Sequence, residues 1–350
     1  MGHVRCPDYF ALLKDMPLPV YPFPDHPSPF EERITEDLNK WLDNDYRFLT
    51  EEARNQYKRH DFGFATARSF PYLTSYQYLL PITRYTAWGT IFDDHFEYLS
   101  FDEKDNLREQ VVSALRSGRI PEGPEANYLI PLIGMRDELL AFELPSWWFD
   151  RFVDSLNWFI RGIQDEDCYK TNNRIPPVEH LKLIREYSIG MYPWIELIAL
   201  EQGCVLPSRI LEHPVIRHLK KLVANMVAYQ NDFVSLPKEL TRGDGEVMNL
   251  VLAVQQDRII GLEEAYMAAL DIHNADLNAF LTLQSNLPDF GEHQRDAEVY
   301  ARYLAQLVKG CADWEGKTAF RYSQGGYVEP PRAEKIENVY SSDPAARPKT

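Results

Sequence analysis

The apolar residues of this chain recur at helical spacing along almost its whole length, and this pattern limits the folds open to it. Near the start, Ile34, Leu38, Trp41 and Leu42 follow one another at steps of four, three and one. Such steps place side chains on one face of an amphipathic helix. Alternating β-branched runs between tight turns, which would indicate strands, are nearly absent. No linker or internal repeat divides the middle of the chain, so the pattern predicts a single all-α domain.

The same periodicity predicts most of the individual helices. Ser28 and Glu31 are typical of a helix start, in which Ser28 caps the helix and Glu31 completes a capping box. The proline-rich residues 1–29 are interpreted as an irregular strap on the folded domain, which we place at 1–328, and the polar residues 329–350 as a disordered tail. The further predicted helices are 75–99 with a kink or break at Pro81, 102–117, 126–142, 146–164, 178–202, 214–240, 245–256, 262–284 and 296–311.

Composition excludes several classes of protein. The 350 residues include 53 Asp+Glu against 37 Lys+Arg, for a net charge of −16, which argues against nucleic acid or an anionic membrane as the main partner. No run approaches the roughly 20 apolar residues of a membrane span. The four cysteines lack a zinc-like spacing and are interpreted as reduced thiols of a cytoplasmic protein. Most of the acidic residues are expected to be solvated, and the question is which ones are not.

A first cluster of acids lies near the end of a predicted apolar helix, in the sequence GTIFDDHFEYL. At about 100° per residue, Asp93 and Glu97 lie about 40° apart, and Asp94 lies about 100° from Asp93. Between bulky neighbours such as Trp88 and Phe92, three carboxylates repel one another and resist burial. A hard divalent cation such as Mg²⁺ would relieve both costs. The alternative is a solvated helix end that carries acids by chance.

A second cluster lies in the sequence VAYQNDFVSLPKEL, where Asn231, Ser235 and Glu239 are spaced at i, i+4 and i+8. This spacing forms one stripe on a helix and offers an amide oxygen, a hydroxyl and a carboxylate, which suit Mg²⁺. Lys238 lies about 20° from Asn231 on the same face. A cation beside a metal site indicates that an anion binds there too. Pro237 favours a kink, and the alternative interpretation is an ordinary polar helix face.

Taken together, the two clusters resemble a known family. DDHFE at 93–97 and NDFVSLPKE at 231–239 resemble the aspartate-rich and NSE motifs of class I terpene synthases of the microbial single-domain type. Arg185, upstream of the second motif, is similar to the diphosphate-sensing arginine of that family. Arg321 and Tyr322 resemble its C-terminal RY pair. The second motif is long and specific, and the matching positions span most of the chain.

The resemblance implies an α-helical barrel around an apolar cavity, with metal sites on opposite walls of its mouth. It also implies that three Mg²⁺ ions, for which Mn²⁺ can substitute, bind together with a prenyl diphosphate. Ser188 and Ile189 stand where some bacterial members carry an acidic linker and a glycine effector, so neither role is assigned. The implied metal ligands are Asp93, with Asp94 and Glu97 secondary, and Asn231, Ser235 and Glu239; the implied diphosphate donors are Arg185, Lys238, Arg321 and Tyr322.

Aromatic residues near the motifs are candidates for the cavity wall. Ionisation of an allylic diphosphate leaves a carbocation, which an aromatic face stabilises by about 0.5–2 kcal/mol through cation–π attraction. Trp88, Phe92 and Trp194 are predicted to line the cavity on this ground. The alternative for each is ordinary core packing, since most aromatic residues of the chain must simply pack.

The densest acid run of the chain lies outside both motifs. Asp165, Glu166 and Asp167 stand at a predicted helix end, before the polar sequence CYKTNNR. No ordered apolar flank accompanies them. We therefore predict that this run is solvated and has no part in the site.

The sequence therefore predicts a Mg²⁺-dependent class I terpene cyclase. It would release diphosphate from a prenyl diphosphate, farnesyl diphosphate by preference, and cyclise the cation to a sesquiterpene hydrocarbon or alcohol, as a monomer or a homodimer. One alternative is a chain-elongating prenyltransferase of the same fold, although such enzymes normally carry two DDxxD motifs. Another is a non-catalytic helical protein that binds divalent metal or phosphate.

Overall fold

The structure, a computed structural model, describes residues 8–123, 125–243, 245–317, 319–323, 326 and 328. The first residues of the predicted strap and the predicted tail at 329–350 lie outside the described residues. Within them the chain is all-helical and has no strand, as predicted. None of these helices is long and apolar enough to cross a membrane. The helices are α1 (Tyr9–Leu13), α2 (Glu31–Asp45), α3 (Glu51–Arg59), α4 (Phe62–Ser69), α5 (Tyr76–Phe96), α6 (Phe101–Ser117), α7 (Ala126–Leu140), α8 (Ser146–Asp165), α9 (Asp167–Lys170), α10 (Val178–Ser188), α11 (Met191–Gln202), α12 (Ser208–Leu211), α13 (Pro214–Arg242), α14 (Leu250–Arg258), α15 (Leu262–Ser285) and α16 (Gln294–Lys317).

The long amphipathic helices follow the apolar periodicity, but the predicted helix at 178–202 is two helices. It divides between α10 and α11 at Gly190, whose φ is 75°. This left-handed conformation disfavours residues with a Cβ. A Cβ at Gly190 would also lie 3.0 Å from Cε2 of Phe159. The break therefore depends on the glycine and on the ring that packs against it.

Capping and proline also differ from the predictions. Helix α2 begins at Glu31 without a side-chain cap, because the Ser28 hydroxyl accepts its hydrogen bond from the backbone N–H of Phe30, at 3.2 Å. The predicted capping box is therefore wrong. Helix α5 continues through Pro81, so the predicted break there is wrong as well. Helix α13 likewise runs through Pro237.

Five helices of the described residues were not predicted from the sequence, and the two longest of them are α3 and α4; the others are α1, α9 and α12. Thr50 caps the N-terminus of helix α3, and its hydroxyl accepts a hydrogen bond from the N–H of Ala53 at 3.1 Å. Asp61 caps the N-terminus of helix α4, and its carboxylate accepts a hydrogen bond from the N–H of Phe64 at 3.3 Å. Nearly every residue of α4 is buried, because it packs against α2, α5 and α16. A helix buried on all sides has no polar face and therefore no amphipathic signature.

The packing of α4 on α16 requires a glycine at position 310. An added Cβ there would lie 2.4 Å from the backbone nitrogen of Ser69 and 2.5 Å from its Cα. Because backbone atoms cannot rotate away, Gly310→Ala should lower the free energy of unfolding by about 1–3 kcal/mol, measured by urea denaturation. The matched control is Gly316→Ala on the same helix, where an added Cβ meets nothing within 4 Å. That variant should gain up to about 1 kcal/mol, and equal stability of the two variants would contradict the packing argument.

Candidate functional site

A cavity of about 250 Å³ lies among helices α4, α5, α8, α9, α10, α11, α13 and α16. Part of its wall is apolar and aromatic, and part carries charged side chains from both predicted motifs. The apolar and aromatic residues include Phe62, Ala65, Tyr85, Phe159, Met191, Trp194, Val227 and Trp314. The charged and polar residues include Asp93, Asp94, Glu97, Lys170, Arg185, Asn231, Lys238, Arg242, Glu246, Glu315, Arg321 and Tyr322.

The acidic motif of α5 divides into two environments. Asp94 is buried, and Arg321 holds it in a bidentate pair, with Nη2–Oδ1 at 2.8 Å and Nη1–Oδ2 at 3.1 Å. The Tyr57 hydroxyl donates a third hydrogen bond to Oδ2 at 3.0 Å. Asp93 faces the cavity and takes part in no ion pair among the residues the structure describes. Burial, together with the neighbouring Asp94 charge, raises the pKa of Asp93 to about 7. Within the described residues, Asp94 is therefore neutralised by a direct ion pair, whereas Asp93 is not.

Helix α13 brings three of the predicted residues into one hydrogen-bonded chain. Arg185 donates from Nη2 to Oδ1 of Asn231 at 3.2 Å, and Nδ2 of Asn231 donates to the Tyr322 hydroxyl at 2.8 Å. Arg185 also pairs with the buried carboxylate of Asp232. Because Tyr322 and Arg185 contact opposite ends of the amide, its oxygen is oriented towards the arginine.

The rest of the second motif lies beside this chain. Lys238 lines the cavity with Asn231, whereas Ser235 is buried and neither it nor Glu239 forms part of the wall. Glu239 accepts a hydrogen bond from Nδ2 of Asn249 at 2.8 Å. Burial raises the pKa of the Glu239 carboxyl, and Lys238 opposes that rise. Asn231, Ser235 and Glu239 lie on one helix, as predicted. Of the three, Asn231 lines the cavity, whereas Ser235 and Glu239 do not.

The donor set fits a magnesium ion only when a ligand supplies part of the coordination. Among the described residues, no three His, Cys, Asp or Glu side chains converge closely enough to hold a metal ion. Mg²⁺ usually binds through one or two carboxylates and completes its shell with water and substrate phosphate oxygens. Asp93 on one wall and the Asn231 amide oxygen on the other provide such partial sets. A diphosphate bound between them would complete both.

The structure corrects the prediction for two of the three aromatic residues. Trp194 lines the cavity. Trp88 and Phe92 instead stack on each other in the packed core, at 4.8 Å between ring centroids, and Nε1 of Trp88 donates to the Tyr128 carbonyl at 2.7 Å. The face of α5 that reaches the cavity carries Thr86, Gly89, Thr90, Asp93 and Glu97. On the helix, Trp88 lies about 140° from Asp93, and Phe92 lies about 100° from Asp93 on the side opposite to Asp94. The helical spacing therefore already indicated that both rings point away from the face that carries the carboxylates.

The prediction that the acid run at 165–167 is solvated is wrong for two of its three residues. Glu166 is buried at 5% exposure, and its Oε2 lies 2.8 Å from the Lys170 ammonium. Asp167 pairs with Lys104 at 2.7 Å. Asp165 is exposed, as predicted. The i, i+4 spacing of Glu166 and Lys170 was the sequence signal for this pair.

Glu315 is a further residue of the site that the sequence did not indicate. It is buried on α16, lines the cavity and lies beside Asn231 and Tyr322. Burial raises the pKa of its carboxyl to about 8. A single glutamate in an amphipathic helix carries no motif, so only the fold reveals its position.

One helical cavity is lined by carboxylates and cationic side chains that come from both motifs. This arrangement is typical of class I terpene synthases. The model of the family described as "Terpene synthase family 2, C-terminal metal binding" matches residues 84–279, and the chain belongs to this family. It is therefore a terpene synthase.

Similar proteins come from several bacteria. The chain is 26% identical to (+)-T-muurolol synthase ((2E,6E)-farnesyl diphosphate cyclizing) of Roseiflexus castenholzii, over 90% of this chain and 94% of the relative. It is 22% identical to germacrene A synthase of Nostoc punctiforme, with the same coverage of 90% and 94%. Among solved structures, hedycaryol synthase in complex with HEPES superposes with a TM-score of 0.73 at 20% identity, over 87% of this chain and 100% of that chain. This last likeness establishes the fold.

Proposed function

We propose that this terpene synthase is Mg²⁺-dependent and cyclises farnesyl diphosphate to a sesquiterpene hydrocarbon or alcohol. The observation that carries the proposal is the convergence of Asp93, Asn231 and three cationic side chains on one partly aromatic cavity. The names of the relatives support the substrate, since one of them cyclises (2E,6E)-farnesyl diphosphate. The cations are Arg185, Lys238 and Arg321.

The first chemical task is to break the allylic C–O bond, whose electron pair leaves with the diphosphate. Bound Mg²⁺ would stabilise that leaving group as a Lewis acid, held by Asp93 on one wall, with Asp94 and Glu97 secondary, and by Asn231 on the other. Ser235 and Glu239, which do not line the cavity in this structure, would complete the second set of ligands. Arg185, Lys238 and Arg321 add fixed positive charge, and Tyr322 adds a hydroxyl donor. Preorganised donors in a site of low dielectric cost no reorganisation when the charge develops.

The second task is to keep the carbocation away from water until its rings have closed. Phe62, Tyr85, Phe159, Trp194 and Trp314 supply aromatic surface to the cavity. Each face can attract a cation by about 0.5–2 kcal/mol. A final loss of a proton or a late entry of water then decides between hydrocarbon and alcohol.

The test is to incubate the protein separately with geranyl, farnesyl and geranylgeranyl diphosphate and to identify products by gas chromatography–mass spectrometry. We expect a volatile cyclic C15 product from farnesyl diphosphate alone, in the presence of Mg²⁺ or Mn²⁺ and not with EDTA. A requirement for isopentenyl diphosphate would instead indicate chain elongation. Ligand-induced stabilisation without turnover would indicate a binding protein, and either result would overturn the proposal.

A further inference from the structure

We propose that Lys170 is a further diphosphate-binding residue, which the buried carboxylate of Glu166 holds at the edge of the cavity. The inference rests on the proposed function, because it takes a prenyl diphosphate as the ligand. Lys170 ends the short helix α9 and belongs to neither sequence motif. It lines the cavity together with Asp93 and Glu97, and it also lines a groove on the adjoining surface. It therefore stands where the cavity meets the outside.

Glu166 fixes Lys170 relative to a residue already placed in the site. Its Oε2 lies 2.8 Å from Nζ of Lys170, and its Oε1 lies 3.8 Å from Nη1 of Arg185. The Glu166 side chain is 6% exposed. One buried carboxylate thus holds two cations that both line the cavity, and a charge so buried needs such partners. The Glu166 carboxylate therefore positions both Lys170 and Arg185.

Lys170 has the charge and the donors to bind a second anion. Burial opposes protonation, but the charges of Glu166, Glu97 and Asp93 together outweigh it and raise the pKa of the Lys170 ammonium above its usual value. Among the described residues, Glu166 is the one carboxylate in ion-pair contact with it. An ammonium has three N–H donors. In the proposed complex the N–H groups that do not face Glu166 would donate to diphosphate oxygens, and the Lys170 side chain is 24% exposed.

A second lysine provides a matched comparison. Lys104 forms an ion pair with Asp167 at 2.7 Å, and its side chain is 4% exposed. It lines the surface groove beside Lys170 but does not line the cavity. Lys104 is buried and Lys170 is partly buried, both are paired with a carboxylate in one region, and they differ in access to the cavity. Removing either should cost stability, but only Lys170 should affect a ligand in the cavity.

The experiment measures binding of inorganic diphosphate to the full-length protein in Mg²⁺ by isothermal titration calorimetry. Lys170→Met should raise Kd at least about tenfold, the loss of one charge-assisted hydrogen bond. Lys170→Arg should stay within about threefold of wild type, since it keeps the charge. Lys104→Met should keep the wild-type Kd, although its melting temperature falls. The KM for farnesyl diphosphate should rise most in Lys170→Met, less in Lys170→Arg and not at all in Lys104→Met.

Two results would overturn the inference: wild-type affinity in a folded Lys170→Met protein, or an equal loss of affinity in Lys104→Met. If circular dichroism shows that Lys170→Met does not fold, Lys170→Gln is judged by the same two criteria. Failure of the proposed function looks different. A protein that does not convert farnesyl diphosphate but binds diphosphate through Lys170 would retain this inference and lose the cyclase proposal. If the protein converts farnesyl diphosphate and Lys170→Met changes neither Kd nor KM, the cyclase proposal is retained and the inference about Lys170 is wrong.

Discussion

Asp93→Asn should lower the rate of product formation from farnesyl diphosphate by at least about 100-fold, measured as product per enzyme per minute by gas chromatography. Asp93 is the carboxyl of the first motif that faces the cavity without an ion pair among the described residues. Asparagine keeps the shape of the side chain but removes the charge that would hold the metal ions. Loss of stabilisation for a charged leaving group costs roughly 10²–10³ in rate.

The stability of the same variant separates catalysis from folding. Because burial raises the pKa of Asp93 to about 7, the folded protein binds the proton more tightly than the unfolded chain does. Ionisation of Asp93 therefore lowers the stability of the metal-free fold as the pH rises from the ordinary pKa of 3.8 to about 7. At pH 8 without metal, Asp93→Asn should melt at the wild-type temperature or above it. It should lose the stabilisation that Mg²⁺ and diphosphate give to the wild type.

The control for Asp93→Asn is Asp271→Asn, a change of the same type at an exposed position of α15. It should retain the wild-type rate and the stabilisation by ligands. If Asp93→Asn also turns over at the wild-type rate, the assignment of Asp93 to the metal site is wrong. A lower melting temperature of Asp93→Asn without metal would contradict the argument from its pKa.

Most of the long helices that the sequence predicted have one buried and one exposed face. Helix α8, for example, buries Trp148, Phe152, Leu156 and Ile163 at helical spacing and was predicted to within a residue. Helix α4 was missed because it is buried on almost every side. The break at Gly190 depends on the left-handed φ and on the contact with Phe159, which comes from another helix. Local periodicity contains neither piece of information.

The candidate site shows the same limit. Spacing within α5 and α13 was enough to group the two motifs, because i, i+3 and i+4 neighbours share a helix face. It could not show that Arg321 pairs with Asp94 or that Glu166 lies near Arg185, since these contacts join distant parts of the chain. Glu166 was dismissed because its flanks are polar in sequence. The fold buries it between two cations that come from different helices.

Asn231→Ala should also lower the rate by at least about 100-fold, and for two separate reasons. The change removes an oxygen proposed as a metal ligand. It also removes the amide that connects Arg185 to Tyr322, through hydrogen bonds of 3.2 and 2.8 Å. Arg185 would keep its pairs with Asp232 and Glu166, so the fold should be retained. Steady-state kinetics at several Mg²⁺ concentrations should show a higher Mg²⁺ requirement together with the lower rate.

The matched control is Asn225→Ala, a buried position on the same helix. Asn225 donates from Nδ2 to Oδ2 of Asp276 at 2.9 Å and does not line the cavity. It should lose about 1–2 kcal/mol of stability, because its partner is left without a hydrogen bond, and should keep its rate and its Mg²⁺ requirement. Equal loss of activity in both variants would mean that loss of any side-chain amide from α13 lowers the rate, and that Asn231 has no specific role. A specific loss at Asn231 requires that its amide oxygen, oriented by Tyr322, acts at the cavity itself.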